Sequence, residues 1–447
     1  MPNFMYLVIV AATFATYVSS IGVAPGFVKY LPDFLSLLLA VFVVAAGARQ
    51  RFRYLNIKYW LVFVAMGLVM ACGPLANQEA VGPVIAGMRY YLRAMPLFFL
   101  PAVVDFGDRD IQNYLKVLLG IALLQAPLAI EQRYATEAIG GHTGDYVFGT
   151  LMISGVLSLF LIAVLCFMAS LMIRGRISKV WFAVCFVILM IPMSINETKV
   201  TVFLLPLGLW LTFFLSAPPR RRLLVTGQVI IYIAVAAVIF VPIYDHFNKK
   251  VDDTPYFTIE DFLTTPGMVT DYLTKDAGVG TGEEAGRGDA LLAPFQEFAH
   301  DPVRLAFGLG LGNASQSSLG SQFSGRYATL YWNFVQTLSM SGFLFEFGVL
   351  GTGLVLLIHL LLLKDALFIS KNDSGILGEI APGYVGAWAV ITVGLFYITI
   401  HTFESLSFMF WFFSGLLAAR RERLALAHTQ TELPVARHLA PLNAGAG

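Results

Sequence analysis

Charged side chains are scarce in this sequence. Asp, Glu, Lys and Arg make up 13% of its 447 residues, where soluble domains carry about 25%. So few charges cannot cover a solvated surface, which excludes an ordinary water-soluble globule. Cysteine is almost as sparse. Cys72, Cys166 and Cys185 all fall in apolar stretches, so the long polar stretch 244–342 has no disulfide framework. No cluster of His, Cys, Asp and Glu has metal-ligand spacing, and no Ser/His/Asp arrangement stands out. Neither a metal nor a cofactor is expected. The net charge of +1 gives no reason to expect a nucleic-acid partner. Gly308, Gly310 and Gly312 in FGLGLGNAS have neither the spacing nor the βαβ context of a dinucleotide fingerprint.

What the chain has instead is apolar length. It is 57% hydrophobic, with a mean hydropathy of +0.74. About 20 apolar residues cross a bilayer, and some twelve segments qualify, near 4–23, 31–48, 59–76, 83–104, 113–131, 147–173, 180–195, 197–217, 223–243, 343–363, 380–401 and 404–419. The first is read as an uncleaved span. Basic clusters follow only even-numbered spans: Arg49, Arg51, Arg53 and Lys58; Arg174, Arg176 and Lys179; Arg220, Arg221 and Arg222; Lys364 and Lys371; Arg420, Arg421 and Arg423. The positive-inside rule then puts both termini in the cytoplasm. The expected fold is an all-α integral membrane protein of about twelve transmembrane helices with one large extracytoplasmic loop. Residues 1–243 carry spans 1–9, 244–342 the outer (periplasmic) loop, 343–419 spans 10–12 and 420–447 a cytoplasmic tail. In the loop, Asp289 to His300 has the spacing of an amphipathic helix that lies on the membrane surface. The loop aromatics Tyr256, Phe257, Phe262, Tyr272, Phe295 and Phe298 suit either sugar stacking or packing on that surface.

Ionisable residues inside apolar segments are functional candidates. Arg89 and Arg93 share one face of span 4. They can bind an anion or pair with a carboxylate such as Glu346 or Glu131. Glu197 and Lys199 stand at the mouth of span 8, as a polar turn or as a cation facing a phosphate. Arg287 precedes the amphipathic segment, where it and free backbone N–H groups can hold a phosphate. His401, Glu404 and Glu346 lie near the outer ends of the last spans as candidate bases or structural residues, and His359 is read as structural. The Ser315 to Ser324 run reads as flexible polar loop.

In order along residues 140–363, several motifs resemble the O-antigen ligase and polysaccharide polymerase family of bacterial inner-membrane glycosyltransferases. A G-D-x-x-x-G-T element spans Gly144 to Thr150. The Glu197–Lys199 turn stands where the family carries Ser-Arg. Gly286-Arg287, His300-Asp301-Pro302 and Phe307 to Gly312 follow, and Glu346 to Gly351 is similar to the family's E-x-G-x-x-G. The resemblance implies transfer of a glycan from a polyprenyl diphosphate carrier to an acceptor hydroxyl, with no metal or nucleotide sugar. It puts Lys199 and Arg287 on the diphosphate, with Arg89 or Arg93 as a further cation. The ligases' His-Asn pair is replaced by Trp332-Asn333, which favours a polymerase and leaves Glu197, His300 and His401 as candidate bases. Partners implied are the polyprenyl-diphosphate-linked oligosaccharide, the bilayer and a chain-length regulator or export complex. A ligase acting on lipid A-core and a lipid-linked glycan flippase or transporter are the alternatives.

Overall fold

A computed structural model describes residues 2–50, 52–138, 144–196, 198–247, 264–267, 270, 274 and 285–438. Among them the chain forms helices and no strand. The helices are α1 (Pro2–Ser20), α2 (Leu31–Gln50), α3 (Ile57–Ala76), α4 (Val81–Leu92), α5 (Met95–Val103), α6 (Asp108–Ala138), α7 (Ser154–Ile173) and α8 (Lys179–Ile195). They continue as α9 (Thr201–Ser216), α10 (Arg222–Phe247), α11 (Arg287–Glu297), α12 (Pro302–Phe307), α13 (Ala328–Val335), α14 (Ser339–Asn372), α15 (Ile376–Gly394) and α16 (Glu404–His438). Among the described residues, α1, α2, α3, α6, α7, α14 and α15 are long and apolar enough to cross a membrane, and α8 and α9 are shorter apolar helices. This is the helical make-up of a multi-pass membrane protein.

Burial sorts these helices. In α7, 83% of the apolar window is buried inside the protein, against 28% in α3, so α7 is a central post and α3 a peripheral one. The post packs on α15 through small residues. Gly383 lies against the backbone of Cys166 and Phe167, and Gly386 against Gly208 and Thr212 of α9. Small side chains of this kind let apolar helices approach closely where no hydrophobic drive separates protein from lipid. The peripheral helices leave Leu37, Val41, Val44, Leu61, Val64 and Leu68 exposed. So wide an apolar belt suits lipid and not water.

Polar contacts fall into two layers at opposite ends of the helices. In the lower layer Lys58 and Arg421 both pair with Asp365, Arg176 with Glu379, Arg420 with Asp373 and Arg423 with Asp105. In the upper layer Arg89 meets Asp33 and Ser318, Tyr30 donates to the Ser318 carbonyl, and Asn77 donates to the Gly308 carbonyl. Chain segments at alternate helix ends thus find their partners in alternate layers.

Three expected spans are corrected. Segment 83–104 is not one helix, because α4 ends at Leu92 and α5 begins at Met95. Pro96 has no N–H for the Leu92 carbonyl, and the Ser36 hydroxyl donates to the Arg93 carbonyl at the break. Segment 147–173 is helical only from Ser154. Residues before it hold Gly149 at φ +57° and Met152 at φ +68°, a backbone clamped by two glutamines of α6. Gln132 Oε1 accepts from the N–H groups of Phe148 (3.0 Å) and Gly149 (2.7 Å), and Gln125 Oε1 accepts from Thr150 N–H at 2.8 Å. Segment 380–401 leaves the α-helix after Gly394, and residues 400–402 form a single 3-10 turn.

The expected amphipathic helix exists as α11, but its small-residue face is covered by protein. Ala290 and Ala293 join Phe298, Leu309, Phe334 and Phe345 in a second apolar cluster, so the helix is seated on α14. Leu292 and Phe295 remain exposed on its other side.

Candidate anion-binding site

The upper layer gathers three cations around a cavity of about 200 Å³. At ~30 Å³ per water, that is room for about six or seven water molecules, or a small anionic head group. Lys29, Arg89 and Arg93 line it together with Tyr30, Tyr90 and Glu404. Six separate parts of the chain meet here: α1, the turn before α2, the end of helix α4, the clamped loop that supplies Thr150, the segment that carries Ser318, and the start of α16 with the turn before it.

Arg89 is held in place without being used up. Its Nε donates to Asp33 Oδ2 at 2.9 Å and one terminal nitrogen to Ser318 Oγ at 2.8 Å, and its guanidinium lies over the Tyr30 ring at 5.2 Å. Arg93, one turn deeper, is buried. It donates to Glu404 and to the Thr402 carbonyl and lies 3.6 Å from Asp33 Oδ1. Its Nε has no hydrogen-bond partner among the described residues. Lys29 lies over the Tyr30 ring at 5.0 Å and forms no ion pair among the described residues. Three cations against the carboxylates of Asp33 and Glu404 leave one formal positive charge (3 − 2) in a small, aromatic-walled space. Such a site favours one anionic group, with Arg89 and Lys29 as the accessible donors.

Beneath this cavity, and sharing Tyr90 as a wall, lies an apolar chamber of about 490 Å³ lined by Tyr91, Phe343, Phe347, His401 and Trp411. His401 stacks on Tyr91 at 4.9 Å between ring centroids, and its Nδ1 lies 3.1 Å from Ser339 Oγ. Burial first, and the positive charge of Arg93 second, push its imidazole down to about 3. It is therefore neutral at pH 7 and a weak base.

The glycine-rich loop forms the upper layer's second feature. Gly348 (φ 64°, ψ −167°) breaks α14 from within, which frees carbonyls that the helix would otherwise use. Leu309 N–H donates to the Phe345 carbonyl at 2.7 Å and Gly310 N–H to the Glu346 carbonyl at 3.2 Å. The Glu346 carboxylate then accepts from Gly312 N–H (2.9 Å) and Ser315 Oγ (2.6 Å). Glu79, in the turn after α3, lies close to Gly310, and neither of its buried carboxyl oxygens has a hydrogen-bond partner among the described residues. Burial first, and the nearby Glu346 second, push its carboxyl up to about 9.

Of the residues singled out from sequence, the structure brings Arg89, Arg93 and Glu404 together and sets His401 just below. The carboxylates that meet the arginines are Asp33 and Glu404, in place of Glu346, which the glycine loop occupies, and Glu131, which is exposed. Lys199 and Arg287 do not line the cavity. Lys199 is half-buried in the turn after Asn196, and Asn196 donates to Ser158 Oγ at 2.8 Å. Arg287 is the first residue of α11, with its guanidinium 4.5 Å from the Tyr397 ring centre and its Nε donating to the Tyr397 carbonyl at 3.3 Å. His300 is exposed in the turn after α11. Glu197, Tyr256, Phe257, Phe262 and Tyr272 lie outside the described residues, while Phe298 is buried. The serine run is engaged through Ser315 and Ser318 and is no free loop there.

Sequence reasoning missed Asp33, Tyr90 and Glu79 and did not single out Lys29. Asp33 had a signal, since it is a carboxylate inside an apolar segment. Glu79 stands in a short polar turn with nothing in its spacing to mark it. No protein-family model matches this chain, and no curated protein matches it.

Proposed function

We propose that the chain is a multi-pass protein of a bacterial inner membrane that polymerises polyprenyl-diphosphate-linked oligosaccharides at the outer face. In this reading about twelve helices cross the bilayer, the lower layer and both termini are cytoplasmic, and the upper layer, with the large loop, faces outward. The observation that carries it is the stacking of a cation-lined cavity on an apolar chamber that shares its Tyr90 wall. That shape suits an amphiphile with an anionic head and an apolar tail.

The reaction forms one bond and breaks one. An acceptor sugar hydroxyl attacks the anomeric carbon of the lipid-linked glycan, and the bond from that carbon to the diphosphate oxygen breaks. The diphosphate leaves with the electron pair, and the hydroxyl proton passes to a base. Arg89 and Lys29 would hold the leaving group, where fixed charge counts most. With His401 neutral and weakly basic, leaving-group stabilisation carries more of the work than proton removal. A ligase that transfers to lipid A-core would use the same donor chemistry.

Vesicles that contain the purified protein and the host's own lipid-linked repeat should yield longer glycan and released polyprenyl diphosphate together. Glycan that fails to lengthen under any orientation of the protein contradicts the reading. Lys199→Ala and Arg287→Ala, if they abolish elongation in properly inserted protein, extend the diphosphate site to those positions.

One observation favours a second reading, a transporter or flippase for an anionic, lipid-linked cargo. The break between α4 and α5 falls at Arg93, and discontinuous helices with charge at the break mark transport sites. Movement of labelled lipid-linked glycan across the same vesicles, without elongation, would select it.

A further inference from the structure

A long cavity lies away from the proposed transfer site. It is a groove of about 1000 Å³ between α8, α9 and α10. Its walls are apolar along most of their length, with Phe182, Phe186 and Met190 on α8 facing Leu205 and Leu209 on α9 and Val229 on α10. At one end the character changes. Lys179 opens α8 and Arg221 immediately precedes α10, and both line the groove. Both are exposed and neither forms an ion pair among the described residues. No carboxylate lines the groove among the described residues. Arg222, next to Arg221, lies over the Phe214 ring at 5.1 Å, and its buried Nε has no hydrogen-bond partner among the described residues.

The dimensions match half a bilayer. Lys179 to Met190 covers about 16 Å of α8 at ~1.5 Å per residue, and one leaflet contributes about half of a ~30 Å hydrocarbon core. Two cations with no carboxylate partner among the described residues therefore stand at the polar mouth of an apolar slot one leaflet deep. The basic pocket lies between helices at the cation-rich end of the bundle, where anionic lipids are concentrated.

We propose that this groove is a binding site for an anionic phospholipid, with the phosphate on Lys179 and Arg221 and an acyl chain between α8, α9 and α10. The site is independent of the transfer reaction. It anchors α10, whose contacts with the rest of the bundle run through α8 and α9, so occupancy fixes the helix that leads into the long loop.

The test uses the full-length protein in nanodiscs of equal phosphatidylglycerol and phosphatidylcholine, with lipid retention read by native mass spectrometry after release into detergent. The wild type should retain phosphatidylglycerol in preference to phosphatidylcholine. Lys179→Ala with Arg221→Ala should lower that retention by roughly thirtyfold, about fivefold for each cation removed. The charge-preserving pair Lys179→Arg with Arg221→Lys should keep it, which separates loss of the site from loss of the fold. Ala237→Phe, which fills the slot, should reduce retention with both cations in place. Equal retention of the two lipids by the wild type, or unchanged preference in the double alanine variant, would overturn the proposal. An Arg89→Ala variant should bind phosphatidylglycerol as the wild type does, whatever its effect on transfer.

Discussion

Arg89 and Arg93 stand one helical turn apart, yet their surroundings assign them different work. Arg93 is buried with Glu404, and removing one member of a buried pair costs about 3–5 kcal/mol because the other charge is left uncompensated. Arg93→Ala should therefore lower the level of inserted protein, measured by membrane fractionation, before any loss of activity is interpretable. Arg89 is more accessible, and its Asp33 partner keeps some solvent. Arg89→Ala should leave protein levels near normal and reduce glycan transfer about a hundredfold, the usual effect of losing one donor to developing negative charge. Glu79 offers a pH signature. Its carboxyl is pushed up to about 9 from 4.5. Above about 4.5 the unfolded chain ionises this group while the folded protein keeps the proton. The unfolded state then binds fewer protons, and stability falls as pH rises toward 9. Glu79→Gln removes that dependence. Thermal unfolding in detergent should show the variant and wild type close at pH 5 and the variant more resistant by pH 8.5. A constant offset across that range would contradict the assignment.

At the scale of elements, the broken helices position the upper layer. The break at Gly348 turns two helix carbonyls into a landing strip for residues 308–312, and its φ and ψ lie in a region open essentially to glycine alone. Gly348→Ala should cost at least about 1–3 kcal/mol in backbone strain, since its Cβ would also meet the backbone of Ala306. Its melting temperature in detergent should drop by several degrees, with the glycine loop becoming accessible to protease. The apolar helices were legible in the sequence because a run of some 20 apolar residues has few other uses. Their interruptions were legible only in part. Pro96 carried a signal for the break after Leu92 that the reading of 83–104 as one span overlooked, whereas the clamp on residues 148–150 depends on Gln125 and Gln132, which read as ordinary polar residues of α6 until the loop folds back. The candidate site was legible in two of its three cations and not in their pairing. Arg89 and Arg93 stood out as charges in apolar surroundings, whereas Asp33 lies 56 residues before Arg89 and Glu404 lies 311 after Arg93. No local spacing encodes such pairs.

For the whole molecule, two polar layers separated by apolar helices amount to a topology that accessibility can test. In a background free of native cysteines, a cysteine at Ser318 should react with a membrane-impermeant maleimide added to intact cells stripped of their outer membrane. One at Ser374, in the turn between α14 and α15, should react only after lysis. Labelling of both from the same side would contradict the alternating arrangement. The ion pairs of the lower layer hold helices together, whereas the upper layer encloses a cavity with one unbalanced positive charge. The decisive measurement concerns that cavity. In the natural host, the gene is deleted and restored either as wild type or as Lys29→Ala with Arg89→Ala, and surface glycans are resolved beside polyprenyl-linked oligosaccharides. The account predicts that the wild type restores long polymer, while the variant, inserted at a normal level, accumulates single lipid-linked repeats. Polymer of normal length from the variant would contradict it.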